Sequence, residues 1–275
     1  MTARRPPAAS MSGLSVHKDG QRDMWRTLPD EVPVALVFDG TTLAVMMASP
    51  ADIHDFAVGF ALTEGIIATA DEVQDFELAE HPAGLEARLW LRSDRSEALQ
   101  ARRRFMAGPV GCGLCGVDSL EQASRPLPHV PDTGLRLPRK AVLTAGKALA
   151  ARQPLREQTG ATHAAGFLTR DGSIILARED VGRHNALDKL IGAMARAGMD
   201  AGQGAFVLTS RLSVELVQKC AMAGCPVLVS VSAPTVAALR LARDAGITVA
   251  AFARGDGFDI YAHPARIITE VSDAA

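Results

Sequence analysis

The sequence predicts an α/β protein, α+β overall, with a smaller β-containing N-terminal domain and a second domain in which helices and strands alternate. Three observations predict it. Two apolar-rich runs, Pro33 to Phe38 and Thr41 to Ala48, flank Asp39-Gly40, the dipeptide that suits a type I′ hairpin turn. Four prolines and a glycine then fall in PLPHVPDTGLRLP, residues 126–138, which is too poor in backbone donors for a central strand or helix and reads as a domain boundary. Beyond it, apolar runs of strand length alternate with helical runs, which implies a sheet that is at least partly parallel with helices packed on its faces. The expected division is a disordered N-terminal arm over 1–24, an N-terminal domain over 25–130 and a C-terminal domain over 131–275.

Taken in order, the arm MTARRPPAASMSGLSVHKDGQRD carries early arginines and no apolar signal core. After the first hairpin, Ile53, Phe56, Ala57, Phe60 and Ala61 recur at helical spacing, with Asp52 as the expected N-cap and Gly65 near the stop. Glu86 to Arg92 alternates as a strand should. The second domain opens with a helix from Arg139 to about Arg152, followed by a hairpin, Ala164 to Thr169 and Ser173 to Ala177, turned at Asp171-Gly172. Helices are then expected at Asn185 to Ala197, Ser213 to Ala223 and Thr235 to Ala245, each followed by a glycine. Strands are expected at Ala205 to Thr209, Pro226 to Val231 and Ile247 to Phe252.

Bulk composition narrows the function classes. The chain has 275 residues, 48% of them hydrophobic, enough for a substantial core without covalent staples. Only four cysteines occur, Cys112, Cys115, Cys220 and Cys225, too few and too clustered for a secreted disulfide scaffold. No apolar run approaches the ~18 residues a membrane span needs. A net charge of −2 gives no overall attraction to nucleic acid or anionic membrane, although Arg102, Arg103 and Arg104 form a local basic patch. A cytoplasmic protein with reduced thiols is expected, with no nucleic-acid or membrane partner.

Reactive atoms gather in GPVGCGLCG, residues 108–116, where Cys112 and Cys115 stand at C-x-x-C spacing among glycines. Glycine leaves no side chain to shield the sulfurs, so the segment can present a thiol to something large. Dithiol redox, half of a metal site and covalent sulfur carriage are all open to such a pair. Structural zinc needs four ligands, and Cys220 and Cys225 read better as small core hydrophobes, which weakens the metal reading. A thioredoxin-type pair belongs at a helix N-terminus, and Gly111, Gly113 and Gly116 argue against helix there.

Three further clusters stand out. EDVGRHNALDK, Glu179 to Lys189, crowds charges at a strand-to-helix junction, where the plain reading is a helix capped by Asn185 with local salt bridges. Arg183 and His184 are exceptions, because cations beside a helix N-terminus suit an anionic ligand. Thr162-His163-Ala164-Ala165 resembles the H-x-E of a zinc deaminase but has alanine where the glutamate must be, and no P-C-x-x-C follows. FARGDG, Phe252 to Gly257, closes a strand of the alternating region, a common place for ligands in α/β sheets. Arg254 could pair with phosphate there.

Together GFALTEG (59–65), GCGLCG (111–116), EDVGRHNALDK (179–189), SRLSVELVQK (210–219), SAPT (232–235) and FAR (252–254) resemble the formate dehydrogenase accessory sulfurtransferase family. The resemblance spans roughly Leu28 to Tyr261. It implies that a cysteine desulfurase loads sulfur as a persulfide on Cys112, with Cys115 assisting transfer or resolving the persulfide. It implies passage of that sulfur to molybdenum in the bis-molybdopterin guanine dinucleotide cofactor destined for formate dehydrogenase, with no permanent metal. The cofactor-binding stretch would be Phe252, Ala253, Arg254, Gly255, Asp256 and Gly257. The C-terminal domain would be a cytidine-deaminase-like three-layer α/β domain, and the protein a homodimer. The alternatives are a non-catalytic chaperone that protects the molybdenum cofactor, and a zinc-binding scaffold.

Overall fold

The computed structural model describes residues 5–96 and 126–269. The N-terminal sheet has four strands in the order β4-β3-β6-β5, formed by β3 (Val32–Phe38), β4 (Thr41–Ala48), β5 (Val73–His81) and β6 (Gly84–Leu91). As the dipeptide predicts, Asp39 and Gly40 both take positive φ, 48° and 75°, and β3 pairs antiparallel with β4. Helix α1 (Ile53–Thr63) covers one face, burying Ile53, Phe56, Ala57 and Ala61 against Val34, Leu36, Leu85 and Leu89.

The second sheet has six strands in the order β13-β12-β11-β10-β8-β9. These are β8 (His163–Leu168), β9 (Ile174–Asp180), β10 (Ala205–Leu208), β11 (Val227–Ser230), β12 (Thr248–Arg254) and β13 (Gly257–Ala262). The expected mixed character is present: β10, β11 and β12 run parallel, whereas β8, β9 and β13 pair antiparallel. Alternation along the strands separates two cores. Ala205, Val207, Val227 and Val229 face helix α2 (Arg139–Ala150) on one side. On the other side Phe206, Leu208, Leu228 and Val249 face helices α4 (Arg183–Arg196), α5 (Val214–Met222) and α6 (Val236–Asp244). Helices on both faces of a sheet make the three layers expected of this region. Cys220 and Cys225 lie fully buried in the second core, as small hydrophobes.

Further short elements lie around the second sheet. Helix α3 (Pro154–Thr159) follows α2, and β7 (Leu137–Pro138) pairs with β14 (Ile267–Ile268). Ahead of β7 the proline-rich stretch runs without regular structure along the C-terminal sheet, where the Val130 N–H donates to the Ala245 carbonyl and Arg266 donates to the Pro131 carbonyl. Among the described residues no helix is long and apolar enough to cross a membrane.

Three local expectations are corrected. The arm expected to be disordered over 1–24 forms a ribbon, β1 (Ala8–His17) paired antiparallel with β2 (Gly20–Pro29) without a register break. Its apolar residues are scattered over both faces, which hid the alternation, and its turn is Lys18-Asp19, with Gly20 already paired to His17. Asp52 does not cap α1 with its side chain; it sits at φ 55° and its carboxylate lies 3.6 Å from Arg178. Asn185 lies inside α4, whose first flanking residue is Gly182, and is recruited by longer-range partners.

The two sheets are joined through α1 and α4, which cross at glycines. A Cβ on Gly59 would fall 1.8 Å from the Asp188 carbonyl oxygen, and one on Gly192 would fall 1.9 Å from that of Asp55. Both glycines are therefore required by close backbone approach. Around the crossing, buried Asp55 accepts hydrogen bonds from Arg178 and Arg196, and buried Asp188 accepts from Thr63 at 2.8 Å and Lys219 at 2.9 Å.

Candidate functional site

All three parallel strands end at one edge of the six-stranded sheet, and antiparallel β8 begins there while β9 ends there. That edge gathers His163, the turn from Asp180 to Arg183 leading into α4, the 210–213 turn leading into α5, the 232–235 turn leading into α6, and the end of β12. Four of the segments noted above, distant in sequence, meet there. The turns are tied together through their backbones. Leu212 N–H donates to Ala233 O at 3.0 Å, Thr235 N–H to Leu212 O at 3.0 Å, and Phe252 N–H to Ser232 O at 3.2 Å. The Ser230 hydroxyl adds a bond to Ser210 O at 2.8 Å.

Most of the EDVGRHNALDK cluster proves to be a strut. Asp180 is fully buried and accepts from Ser49 N–H at 3.0 Å, Gly182 N–H at 2.7 Å, Asn185 Nδ2 at 3.0 Å and Lys189 Nζ at 2.7 Å. Asn185 also donates to Met47 O, and Lys189 to Ser49 O. Glu179 accepts from the N–H groups of Leu155 and Arg156, so it caps the N-terminus of α3 from a distance. The bonds from Ser49 and Met47 to Asp180, Asn185 and Lys189 link the two sheets, where the sequence suggested local surface pairs.

Arg183 and His184 are the members that face the edge. Arg183 opens α4, Ser213 and Glu215 stand at the start of α5, and Thr235 caps α6 by accepting from Ala238 N–H. Three helix N-termini, each with unpaired N–H groups and a positive dipole end, thus point to one place. Arg183, Arg211 and Arg254 add positive charge, the last two on exposed side chains. Arg183 Nε, His184 Nε2 and Glu215 Oε2 are buried with no hydrogen bond of ordinary length among the described residues, His184 Nε2 and Glu215 Oε2 standing 3.8 Å apart, while the Ser213 hydroxyl lies within reach of the Glu215 carboxylate. Each such group costs roughly 1–3 kcal/mol of stability, so their gathering at one edge calls for a functional reason.

Burial, then the charges of Arg183 and Lys219, push the His184 imidazole down to about 4, although Glu215 lies 3.8 Å away and opposes the shift. His163 is lowered as well, by burial and by Arg183 and Arg156. Burial works against the charge of Glu215, but the Ser213 hydroxyl and its own backbone N–H, followed by His184 and Arg183, outweigh it and hold the carboxyl below its ordinary value. At neutral pH the edge therefore presents neutral imidazoles, one carboxylate and arginines, able to hold an anion and to exchange hydrogen bonds with a polar ring.

A pH prediction follows from His184. Its folded value of about 4 lies below the ordinary 6.5, so the unfolded chain binds more protons between the two. Stability is expected to be complete above about pH 6.5 and to fall as pH drops toward 4. Melting temperatures measured across that window should decline less steeply for His184→Gln than for the native chain. An equal slope would show that His184 is not the group responsible.

Residues Phe252 to Gly257 lie at this edge but not as an open loop. Phe252, Ala253 and Arg254 belong to β12, Gly255 and Asp256 make a tight turn, and Gly257 starts β13. Phe252 takes φ 54°, unusual for a bulky side chain and of order 1–2 kcal/mol in cost, where the β12–β13 register shifts. Ala253 is buried, so only its backbone can serve a ligand, while Arg254 is exposed. Cys112, Cys115 and Arg102 to Arg104 lie outside the described residues. Ser213 and Glu215 were not singled out from the sequence, although a serine just before an apolar helical run is a signal for a helix start. A separate cleft of about 870 Å³, lined by residues such as Val58, Phe76, Met194 and Phe206, lies at the opposite edge, where β10 begins. It lacks the convergent unpaired polar groups of the first edge.

The sequence model of the FdhD/NarQ family matches residues 29–268. The chain belongs to the FdhD/NarQ family. A relative from Agrobacterium fabrum, "Sulfur carrier protein FdhD", is 51% identical over 88% of this chain and 90% of its own length. One of the same name from Cupriavidus necator is 49% identical over 97% of this chain and 93% of its own. The fold is also similar to the crystal structure of a protein assigned as a formate dehydrogenase accessory protein from Desulfotalea psychrophila, with a TM-score of 0.76 and 24% identity over 96% of this chain and all of that one. Within the FdhD/NarQ match fall the glycine crossing, the buried struts and the polar edge.

Proposed function

We propose that this protein is a sulfur carrier for formate dehydrogenase and acts in the cytoplasm. One observation carries the reading: relatives named sulfur carrier proteins are about half identical to it over most of the chain. The C-x-x-C pair supplies the chemistry. The Cys112 thiolate attacks the outer sulfur of a persulfide on a cysteine desulfurase, and the desulfurase thiolate leaves. Cys115 then attacks the inner sulfur of the Cys112 persulfide, which releases sulfide and leaves a Cys112–Cys115 disulfide. The two thiols supply the two electrons, and a dithiol reductant restores them.

The acceptor is molybdenum in bis-molybdopterin guanine dinucleotide, bound as substrate. What supports this acceptor is the edge chemistry: Arg183, Arg211 and Arg254 beside three helix N-termini suit its phosphates, and Glu215 and His184, each with one polar atom lacking a hydrogen bond, suit the polar edge of its base.

Incubating the protein with a cysteine desulfurase and cysteine, then weighing it intact, tests the reading. A one-sulfur adduct is expected on the native chain, and none on Cys112→Ala. Absence of the adduct on the native chain, or full loading of Cys112→Ala at Cys115, would overturn it. If a chain with both Cys112→Ala and Cys115→Ala still matures active formate dehydrogenase, the protein is instead a cofactor-binding chaperone.

A further inference from the structure

The four-stranded sheet ends at β5, whose outer edge pairs with nothing among the described residues. A strand in that position holds out a row of backbone N–H and C=O groups on which another strand can form. β5 has nine residues, roughly 30 Å at the usual rise, and its Gln74, Asp75, Glu77 and Glu80 are exposed. The Phe76 N–H donates to the carboxylate of its neighbour Asp75 at 2.8 Å, a local bond that an incoming carbonyl can replace.

Two features say what kind of strand fits this edge. The first is charge. Residues 69–81 hold five carboxylates and no lysine or arginine. Glu72 is buried beside Arg95 at 2.9 Å and Glu77 pairs with Arg88 at 3.2 Å, but Asp75 and Glu80 form no ion pair among the described residues. The edge therefore carries uncompensated negative charge. The second feature is the cleft of about 870 Å³, which opens beside the same strand. Val73 and Phe76 line it from β5, facing Val58, Met194, Met199 and Met222. Methionine side chains adapt to apolar guests of varied shape.

Alternation sorts these features to two faces. Phe76 and Leu78 pack toward the core under α1, so Asp75 and Glu77 point to the other face. A strand laid beside β5 continues the same alternation, with one set of side chains over the apolar cleft and the other beside the carboxylates. We propose that β5 receives, by strand addition, an extended segment of a partner protein in which lysine or arginine alternates with apolar residues. Backbone hydrogen bonds supply affinity, and the alternation supplies selectivity. A second copy of β5 is disfavoured there, because carboxylates would meet carboxylates. The inference is independent of the sulfur-carrier reading, since it uses neither the cysteine pair nor the polar edge of the six-stranded sheet.

Fluorescence anisotropy of the full chain with a labelled peptide of alternating lysine and valine, matched in length to β5, tests it. Saturable binding is expected, and none to a peptide with glutamate in place of lysine. The double variant Asp75→Lys, Glu80→Lys changes two exposed positions and should weaken binding by roughly tenfold or more, with the melting temperature unchanged. Peptides N-methylated on alternate residues separate strand addition from attraction between charges alone. Methylating the set whose N–H groups face β5 should abolish binding, and methylating the other set should leave it. No binding of the lysine–valine peptide would overturn the proposal and leave the carboxylates as guards against edge pairing. Binding indifferent to the double variant would place the site elsewhere, and equal behaviour of the two methylated peptides would exclude strand addition.

Discussion

Lys189→Ala is expected to lower stability by about 3–5 kcal/mol, because it removes the one full positive charge that, among the described residues, is bonded to the fully buried Asp180 carboxylate. Lys189 and Asp180 are both fully buried, 2.7 Å apart, and Lys189 also donates to Ser49 O at 2.9 Å. A domain of ordinary stability has only about 5–15 kcal/mol in total, so the variant loses a large share of it. At roughly 2–4 °C per kcal/mol for a chain of this size, the melting temperature should fall by of order 10 °C. Much of that loss is the penalty of an orphaned charge. Combining Lys189→Met with Asp180→Asn should therefore recover part of the stability. Urea unfolding of both variants checks this; a loss below ~1 kcal/mol for Lys189→Ala would mean that water or another cation reaches Asp180.

Gly192→Ala is the second large effect, and its sign opposes intuition. In an exposed helix interior, alanine is better than glycine by about 1 kcal/mol. Here the added methyl group would lie 1.9 Å from Asp55 O and 2.7 Å from Gly59 N, both backbone atoms of α1. No side chain can swing away, so α1 and α4 must separate and loosen the Asp55 and Asp188 networks that bracket the crossing. A loss of about 3 kcal/mol or more is expected, at the upper end of overpacking costs. Gly59→Ala should behave alike, and the double variant should cost less than the sum, because both force the same displacement. Thermal unfolding of all three decides; a stabilised Gly192→Ala would show that the helices are not held at this distance.

Much of the fold is legible in the sequence because its signals are local. Asp39-Gly40 sets a turn by backbone preference alone, and apolar alternation in Ala205 to Leu208 sorts side chains to two faces wherever the strand sits. Glycines after the helical runs near 198, 224 and 246 mark stops, and all three take positive φ. The ribbon over Ala8–Pro29 was missed because apolar burial, the signal that normally betrays a strand, is nearly absent from it. The caps at Asp52 and Asn185 were misread for another reason. Both residue types suit a helix start, yet distant partners, Arg178 for one and Met47 with Asp180 for the other, engage their side chains instead.

The candidate site divides in the same way. Cysteine spacing, Arg183 with His184, and the FAR segment are visible in the chain, since each is a short run of unusual residue types. Their convergence is not. Ser213 and Glu215 look like an ordinary helix start until β9 and β10 bring them beside Arg183 and His184, where burial leaves polar atoms without partners. Likewise the charges of Glu179 to Lys189 read as surface pairs until Ser49 and Met47 are seen to bond with them from the other sheet.

By itself, then, the sequence determined the first hairpin, α1, most strands and helices of the second sheet with their approximate limits, and the thiol pair, all of which follow from backbone preference, periodicity and residue chemistry over a few positions. Only the tertiary structure decided which glycines are obligatory, which charges are buried struts, and which edge of the sheet collects unpaired polar groups. Those properties depend on distances between residues far apart in the chain and on exclusion of water, and neither exists until the sheets have packed.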